Sequence, residues 1–88
     1  MEFEWNAANR SHIARHSITP AEAEEAVRID PLVAAFQQHG SEERVLCFGR
    51  TKAGRLLTIL YTERRGKIRV VTGYEMTREQ QGLYFQGK

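Results

Sequence analysis

The sequence predicts an α+β fold in a single domain spanning residues 1–88. Helix-start signals lie towards both ends of the chain, and the middle consists of β-type runs joined by short turns. Strands joined by short turns pair antiparallel, and helices at the chain ends are expected to cover one face of the sheet. A chain of 88 residues has room for one hydrophobic core.

The first elements are a short strand and a helix. Phe3 and Trp5 alternate with acidic residues, which predicts a strand over 2–5. Asn6 is a typical N-cap residue, so a first helix is expected over 7–16.

The second helix has the clearest start signal in the sequence. Thr19 is the expected N-cap, and Pro20 stands at the first helical position, where its missing N–H costs nothing. Glu22 is placed to close a capping box. The helix is predicted over 20–28, and the Asp30-Pro31 pair ends it.

The remaining chain predicts an antiparallel sheet of about four strands and a last helix. The strands are expected at 32–36, 43–48, 55–62 and 67–72, with a polar loop over 37–41. Arg64-Arg65-Gly66 forms a hairpin turn between the last two strands. Thr77 to Gln80 is a second capping box, which begins a C-terminal helix over 78–85.

Composition excludes several classes of protein. No apolar run approaches the ~18 residues of a membrane span, and the acidic start lacks the features of a signal peptide. Cys47 is the only cysteine, which excludes an intramolecular disulfide, and its place within a strand predicts a buried, inert thiol. We therefore expect a cytoplasmic protein.

Charge is distributed unevenly along the chain. Residues 1–43 hold eight acids and three bases, whereas residues 44–88 hold ten bases and three acids. A basic half within one small domain indicates a basic face and an anionic partner, most often nucleic acid. The alternative is that the two halves pair with each other across the fold.

His12 and His16 stand four residues apart, so they share one face of the first helix. They are compatible with a metal site, with acid–base chemistry or RNA contact, and with a purely structural role. No third metal ligand is evident, and we predict neither a metal site nor a cofactor.

Arginines and tyrosines of the basic half are candidates for RNA contact. The arginines that neighbouring strands can bring to one patch are Arg44, Arg55, Arg64, Arg65 and Arg69. Planar guanidinium groups bind phosphate, and Tyr61, Tyr74 and Tyr84 could stack on unpaired bases. Metal-free RNA cleavage needs such cations, a base for the ribose 2′-hydroxyl and an acid for the leaving oxygen. The alternative is that these charges only protect strand ends.

The chain resembles the BrnT family over nearly its whole length. The segments that carry the resemblance are Phe3–Asn6, His12–His16, Thr19–Glu25, Asp30-Pro31, Glu43-Arg44, Gly49-Arg50, Gly54–Leu57, Tyr61-Thr62, Ile68–Thr72, Met76–Arg78 and Tyr84. The resemblance implies a RelE-like fold and a type II toxin that arrests translation by metal-independent RNA cleavage. It also implies a BrnA-like antitoxin partner, with a homodimer or a toxin–antitoxin hetero-oligomer as the assembly.

The resemblance also bears on single residues. Arg44, Arg55, Arg69 and His16 match family positions. Three positions depart from the family pattern: Tyr74 replaces an arginine that commonly ends a Ser-Ala-Arg segment, Ser17 replaces a glycine, and Asn6 replaces an aspartate.

Two hypotheses follow from these observations. In the first, the protein is a ribonuclease toxin whose catalytic candidates are Arg69, Arg55, Tyr74, His16 and Glu79, with RNA bound by Arg44, Arg64, Arg65, Lys67 and Tyr84. In the second, the domain binds an antitoxin or nucleic acid without catalysis, as the tyrosine at position 74 suggests.

Overall fold

Five strands form one sheet, on which three helices pack, in the computed structural model, which describes all residues from Met1 to Lys88. The elements are β1 (Glu2–Glu4), α1 (Ala7–Ala14), α2 (Pro20–Arg28), β2 (Leu32–His39), β3 (Glu42–Arg50), β4 (Leu56–Arg64), β5 (Lys67–Glu75) and α3 (Arg78–Gln86). The α+β class and the order of elements are confirmed. Residues 37–39, expected in a loop, extend β2 so that His39 lies opposite Glu42.

The sheet is mixed, whereas the sequence predicted an antiparallel one. Its strand order is β1-β5-β4-β3-β2, and β1 runs parallel to β5. Phe3 lies opposite Ile68, and both side chains pack into the main core, so burial draws β1 to this edge. Because β1 is so short, it pairs only with residues 67–69 and leaves the rest of the β5 edge open.

Each helix begins at a polar side chain that caps its first turn. Asn6, Thr19 and Thr77 are the N-caps, and each forms a reciprocal capping box with the residue three positions on. The predicted helix starts are therefore confirmed. None of the three helices is long and apolar enough to cross a membrane.

The helices cover both faces of the sheet rather than one. On the first face, α1 and α2 enclose the main core, whose buried side chains include Ile13, Val27, Leu57, Ile59 and Val70. On the second face, α3 closes a smaller cluster of Phe48, Met76 and Tyr84 at one end of the strands. The other end of this second face has no helix over it, and we call the stretch from that end up to the row of Phe48, Thr58 and Tyr74, at the edge of α3, the open face.

A β-bulge changes which side chains of β5 point to the open face. Leu60 lies opposite Thr72 but Tyr61 lies opposite Val70, so β5 has one additional residue, Val71, at this point. Side chains alternate between faces along a regular strand, and an additional residue reverses the alternation beyond it. Arg69 and Tyr74 therefore lie on the same face, although their separation of five residues predicts opposite faces.

Candidate functional site

The open face is built from side chains that the register of β3, β4 and β5 aligns in rows. The rows are Arg44, Thr62 and Arg69; then Leu46, Leu60 and Thr72; then Phe48, Thr58 and Tyr74. Neighbouring rows are about 7 Å apart and neighbouring strands about 5 Å apart. The face thus has arginines at one end and a tyrosine at the other.

Five cations surround the arginine end of the open face, and we call them the basic surface: Arg44, Arg64, Arg65, Lys67 and Arg69. Arg65 and Gly66 form the hairpin turn, both with positive φ, which brings Arg64 opposite Lys67. Glu42 is ion-paired with Arg44 at 2.9 Å and with Arg64 at 3.3 Å. The hydrogen bond from Arg44 is the main reason why the pKa of Glu42 lies below its ordinary value.

Arg69 differs from its neighbours Arg44 and Arg64 in having no carboxylate partner. It takes part in none of the six ion pairs in the molecule and makes no side-chain hydrogen bond. It lines a groove of about 310 Å³ together with Arg44, Val70, Val71 and three residues of α1, Ala8, Asn9 and His12. A half-buried guanidinium without a partner beside a groove is well suited to bind an oxyanion.

The tyrosine end of the open face is fixed by α3 and approached by the turn that follows α1. Gln80 donates from its amide nitrogen to the Tyr74 hydroxyl at 3.1 Å and accepts a hydrogen bond from Thr58 at 2.9 Å. The His16 ring lies 6.2 Å from the Tyr74 ring, measured between centroids. His12 of α1 therefore lies beside Arg69 at one end of the face, and His16, in the turn that follows α1, lies beside Tyr74 at the other.

Arg55 is not part of this surface. Its guanidinium donates to the backbone oxygens of Ser17 at 2.7 Å and His16 at 3.1 Å. It is also ion-paired with Glu22 and with Glu75, at 3.3 and 3.2 Å. Its donors are thus occupied by the segment that follows α1 and by two carboxylates, and they hold the backbone at His16 and Ser17 in place.

Two further candidates lie away from the open face. Tyr84 was expected to contact RNA, but its side chain is only 1% exposed and its hydroxyl donates to the Asp30 backbone oxygen at 2.8 Å. No base can stack on a ring enclosed in this way. Glu79 is exposed in the first turn of α3, next to Gln80, and its side chain makes no hydrogen bond or ion pair within the chain.

Cys47 lies apart from the open face, on the side of the sheet that α1 and α2 cover. Cys47 is buried as expected, and burial raises the pKa of its thiol to about 11. No group of three or more His, Cys, Asp or Glu side chains is close enough together to hold a metal ion. His12 was not among the expected site residues, although its four-residue spacing from His16 was the signal that pointed to it.

These features define a small α+β protein with a basic, partly open sheet face and two histidines at its margin. The family model described as "Ribonuclease toxin, BrnT, of type II toxin-antitoxin system" matches residues 5–80, and the chain belongs to this family. The family assigns it a ribonuclease activity, an RNA target and an antitoxin partner. No curated protein matches the chain at a significant level.

Proposed function

We propose that this toxin binds single-stranded RNA on the open face, cleaves it without a metal ion and thereby inhibits translation in the cytoplasm. The observation that carries the proposal is the free guanidinium of Arg69, which lines a groove with Arg44 and His12. This arrangement combines a phosphate ligand with a group that can transfer a proton.

Arg69 and Arg44 hold the scissile phosphate in this proposal. One row of the sheet carries both, with Thr62 between them, so their Cα atoms are about 10 Å apart. Two long side chains at this separation converge on a phosphate in the groove. Their positive charges stabilise the negative charge that develops on the pentacovalent phosphate. In other nucleases a metal ion provides this stabilisation.

The proton transfers are assigned to His12 of α1, to His16 just after it and to Tyr74 of β5. His12 removes the proton of the ribose 2′-hydroxyl, and the 2′-oxygen attacks phosphorus. The bond from phosphorus to the 5′-oxygen breaks, and the leaving oxygen receives a proton from His16 or from the Tyr74 hydroxyl. The products are a 2′,3′-cyclic phosphate and a 5′-hydroxyl end. Glu79 lies in the first turn of α3, and we keep it as a candidate for substrate positioning.

The test is cleavage of a single-stranded RNA by the purified protein in the presence of EDTA. Wild-type protein should produce fragments with cyclic phosphate ends. Arg69→Ala should reduce the cleavage rate by at least about 100-fold, as loss of a group that stabilises transition-state charge does. Arg78→Ala removes an exposed arginine from the start of α3 and should leave the rate within about twofold of wild type.

Two outcomes would contradict the proposal. Loss of all cleavage in EDTA, with recovery on adding a divalent metal ion, would refute metal independence. RNA that is bound but never cut, at any metal concentration, would favour the non-catalytic binding module, and the tyrosine at position 74 would then be the departure to examine first. Translation inhibition is tested separately, by adding the protein to a cell-free translation reaction.

A further inference from the structure

A second surface lies at the same end of the sheet as the basic surface, on the face that carries α1 and α2. It is a hollow of about 690 Å³ whose apolar side chains are Val33, Phe36, Val45 and Tyr61. Phe36, Val45 and Tyr61 form one row across three strands. We call this surface the apolar hollow.

The apolar hollow is open because the helices do not reach it. The buried residues of α2 pack over the other end of β3, where Ala26 lies directly against Gly49. As a result Phe36 is 67% exposed and Val33 is 48% exposed. The hollow also borders β2, an edge strand whose outer main-chain groups have no partner strand. Exposed apolar side chains beside a free strand edge are typical of a protein-binding surface.

Charge distinguishes this hollow from the basic surface. Along β3 and β4 the charges alternate with the pleat: Glu43 and Glu63 point to the hollow and Arg44 to the opposite face, while Arg64, at the end of β4, borders both. The two glutamates occupy adjacent positions on neighbouring strands and take part in no ion pair. Like charges side by side on a sheet destabilise it, and their carboxylates repel RNA phosphate. A cationic partner would remove this repulsion.

We infer that the apolar hollow and the free edge of β2 bind a segment of the antitoxin in which apolar side chains are flanked by lysine or arginine. This inference rests on the membership of the chain in a toxin–antitoxin family. A second copy of this chain fits less well. Pairing through the same surface would bring the unpaired Glu43 and Glu63 of both copies together, with no added cation except Arg64, which is already bound to Glu42.

Occupancy of the hollow affects the RNA site through Arg64. This residue lines the hollow and also belongs to the basic surface. A chain segment seated on Phe36 and Val45 therefore passes next to the cations that bind RNA in the proposed function. The partner gains its affinity from the apolar row, and the part of its chain that continues beyond this row can cover the basic surface.

The experiment measures the affinity of the purified cognate antitoxin for variants of the full-length toxin. Phe36→Glu should weaken binding by at least about 30-fold, because it removes the aromatic contact and places a charge within the apolar row, where it would be desolvated. Phe85→Glu is the matched control, since Phe85 is a similarly exposed aromatic residue, at 61%, on α3. It should change the affinity by less than about threefold. The double variant Glu43→Lys with Glu63→Lys should also weaken binding and reduce its dependence on salt.

Each outcome either supports or overturns the inference that the antitoxin binds in the apolar hollow. Wild-type affinity in Phe36→Glu, with folding verified by circular dichroism, would overturn the inference. It would also be overturned if free toxin sedimented as a dimer that Phe36→Glu converts to a monomer, since the occupant would then be a second copy. RNA cleavage by the free toxin is measured alongside and should be unchanged in Phe36→Glu. If wild-type toxin failed to cleave RNA, the proposed function would fail, and the antitoxin affinities would still test the hollow.

Discussion

Arg55 and Arg69 show how the surroundings of a side chain determine its role. Arg55 is fixed by backbone oxygens of His16 and Ser17 and by two carboxylates. Arg69 has no partner within the chain and faces a groove. Arg55 therefore stabilises the segment that holds His16, whereas Arg69 is available to a ligand.

The contacts of Glu22 predict a dependence of stability on pH. Its carboxylate accepts from the Thr19 backbone N–H, which lowers its pKa most, and it pairs with Arg55. A carboxyl group with a lowered folded pKa stabilises the fold above its ordinary pKa, and this contribution is lost as pH falls through the folded value. We expect wild-type protein to lose up to about 1 kcal/mol more stability than Glu22→Gln between pH 6 and pH 3.

Thermal unfolding followed by circular dichroism measures this difference. For a chain of this size, 1 kcal/mol corresponds to about 4–8 °C in Tm. Glu22→Gln keeps an oxygen that can accept from Thr19, so the two proteins should differ chiefly in the titrating charge. Parallel Tm curves for the two proteins from pH 6 to pH 3 would contradict the prediction.

At the residue scale the sequence identified types of side chain better than their roles. Arg55 was expected to bind phosphate because it begins a predicted strand of the basic half, where neighbouring strands could bring arginines together. Its partners His16 and Ser17 lie 39 and 38 positions away, and a contact at this separation cannot be predicted from a local sequence pattern. The same holds for Tyr84, whose partner Asp30 is 54 positions away. The inert role of Cys47 could be predicted because burial in a strand follows from its immediate neighbours.

Among the elements, the contact between α2 and β3 depends on one glycine. A Cβ atom at Gly49 would overlap the backbone oxygen of Ala26, and a backbone cannot move aside as a side chain can. Gly49→Ala should therefore destabilise the protein by about 3 kcal/mol or more, because α2 must lift from the sheet.

A second glycine provides the matched control. Gly82 lies in α3 with open space around it, so Gly82→Ala should stabilise the protein by about 0.5–1 kcal/mol. Urea unfolding of both variants measures the free energies of unfolding. Equal effects of the two substitutions would show that α2 adapts to the additional methyl group.

The helices were predicted more accurately than the arrangement of the sheet. N-cap signals such as Thr19-Pro20 act within four residues, so they can be read locally, and α2 was predicted with the observed bounds. The parallel pairing of β1 with β5 joins residues more than sixty positions apart. The position of α3 on the second face depends on Phe48 and Met76 meeting Tyr84, which no single segment reveals.

At the scale of the whole molecule, the pleat of the sheet separates charge. The excess of bases in the second half of the sequence becomes one basic surface, and Glu42 offsets one of its five cations. Each phosphate bound on a single strand contributes about 0.7 to the slope of log K against log salt concentration. We therefore expect a slope of about −3 for single-stranded RNA.

A 2′-O-methyl RNA has no free 2′-hydroxyl and cannot be cleaved, so its binding measures the salt dependence without the reaction. Its affinity should be measured between 50 and 200 mM salt by fluorescence anisotropy. Arg69→Ala should make the slope less steep by about 0.7, and Arg78→Ala should leave it unchanged. A slope near zero for wild-type protein would show that the basic surface does not bind the RNA backbone.

The bulge at Val71 bears on how such a site can arise and diverge. A point substitution changes the type of a side chain, but it does not move that position from one face of the sheet to the other. Insertion or loss of a single codon within a strand does so for every residue beyond it. Because Arg69 and Tyr74 stand on either side of the bulge, one such event assembles or separates the two ends of the open face. Related chains that differ by one residue here would have diverged in chemistry by a change of length, with every individual side chain retained.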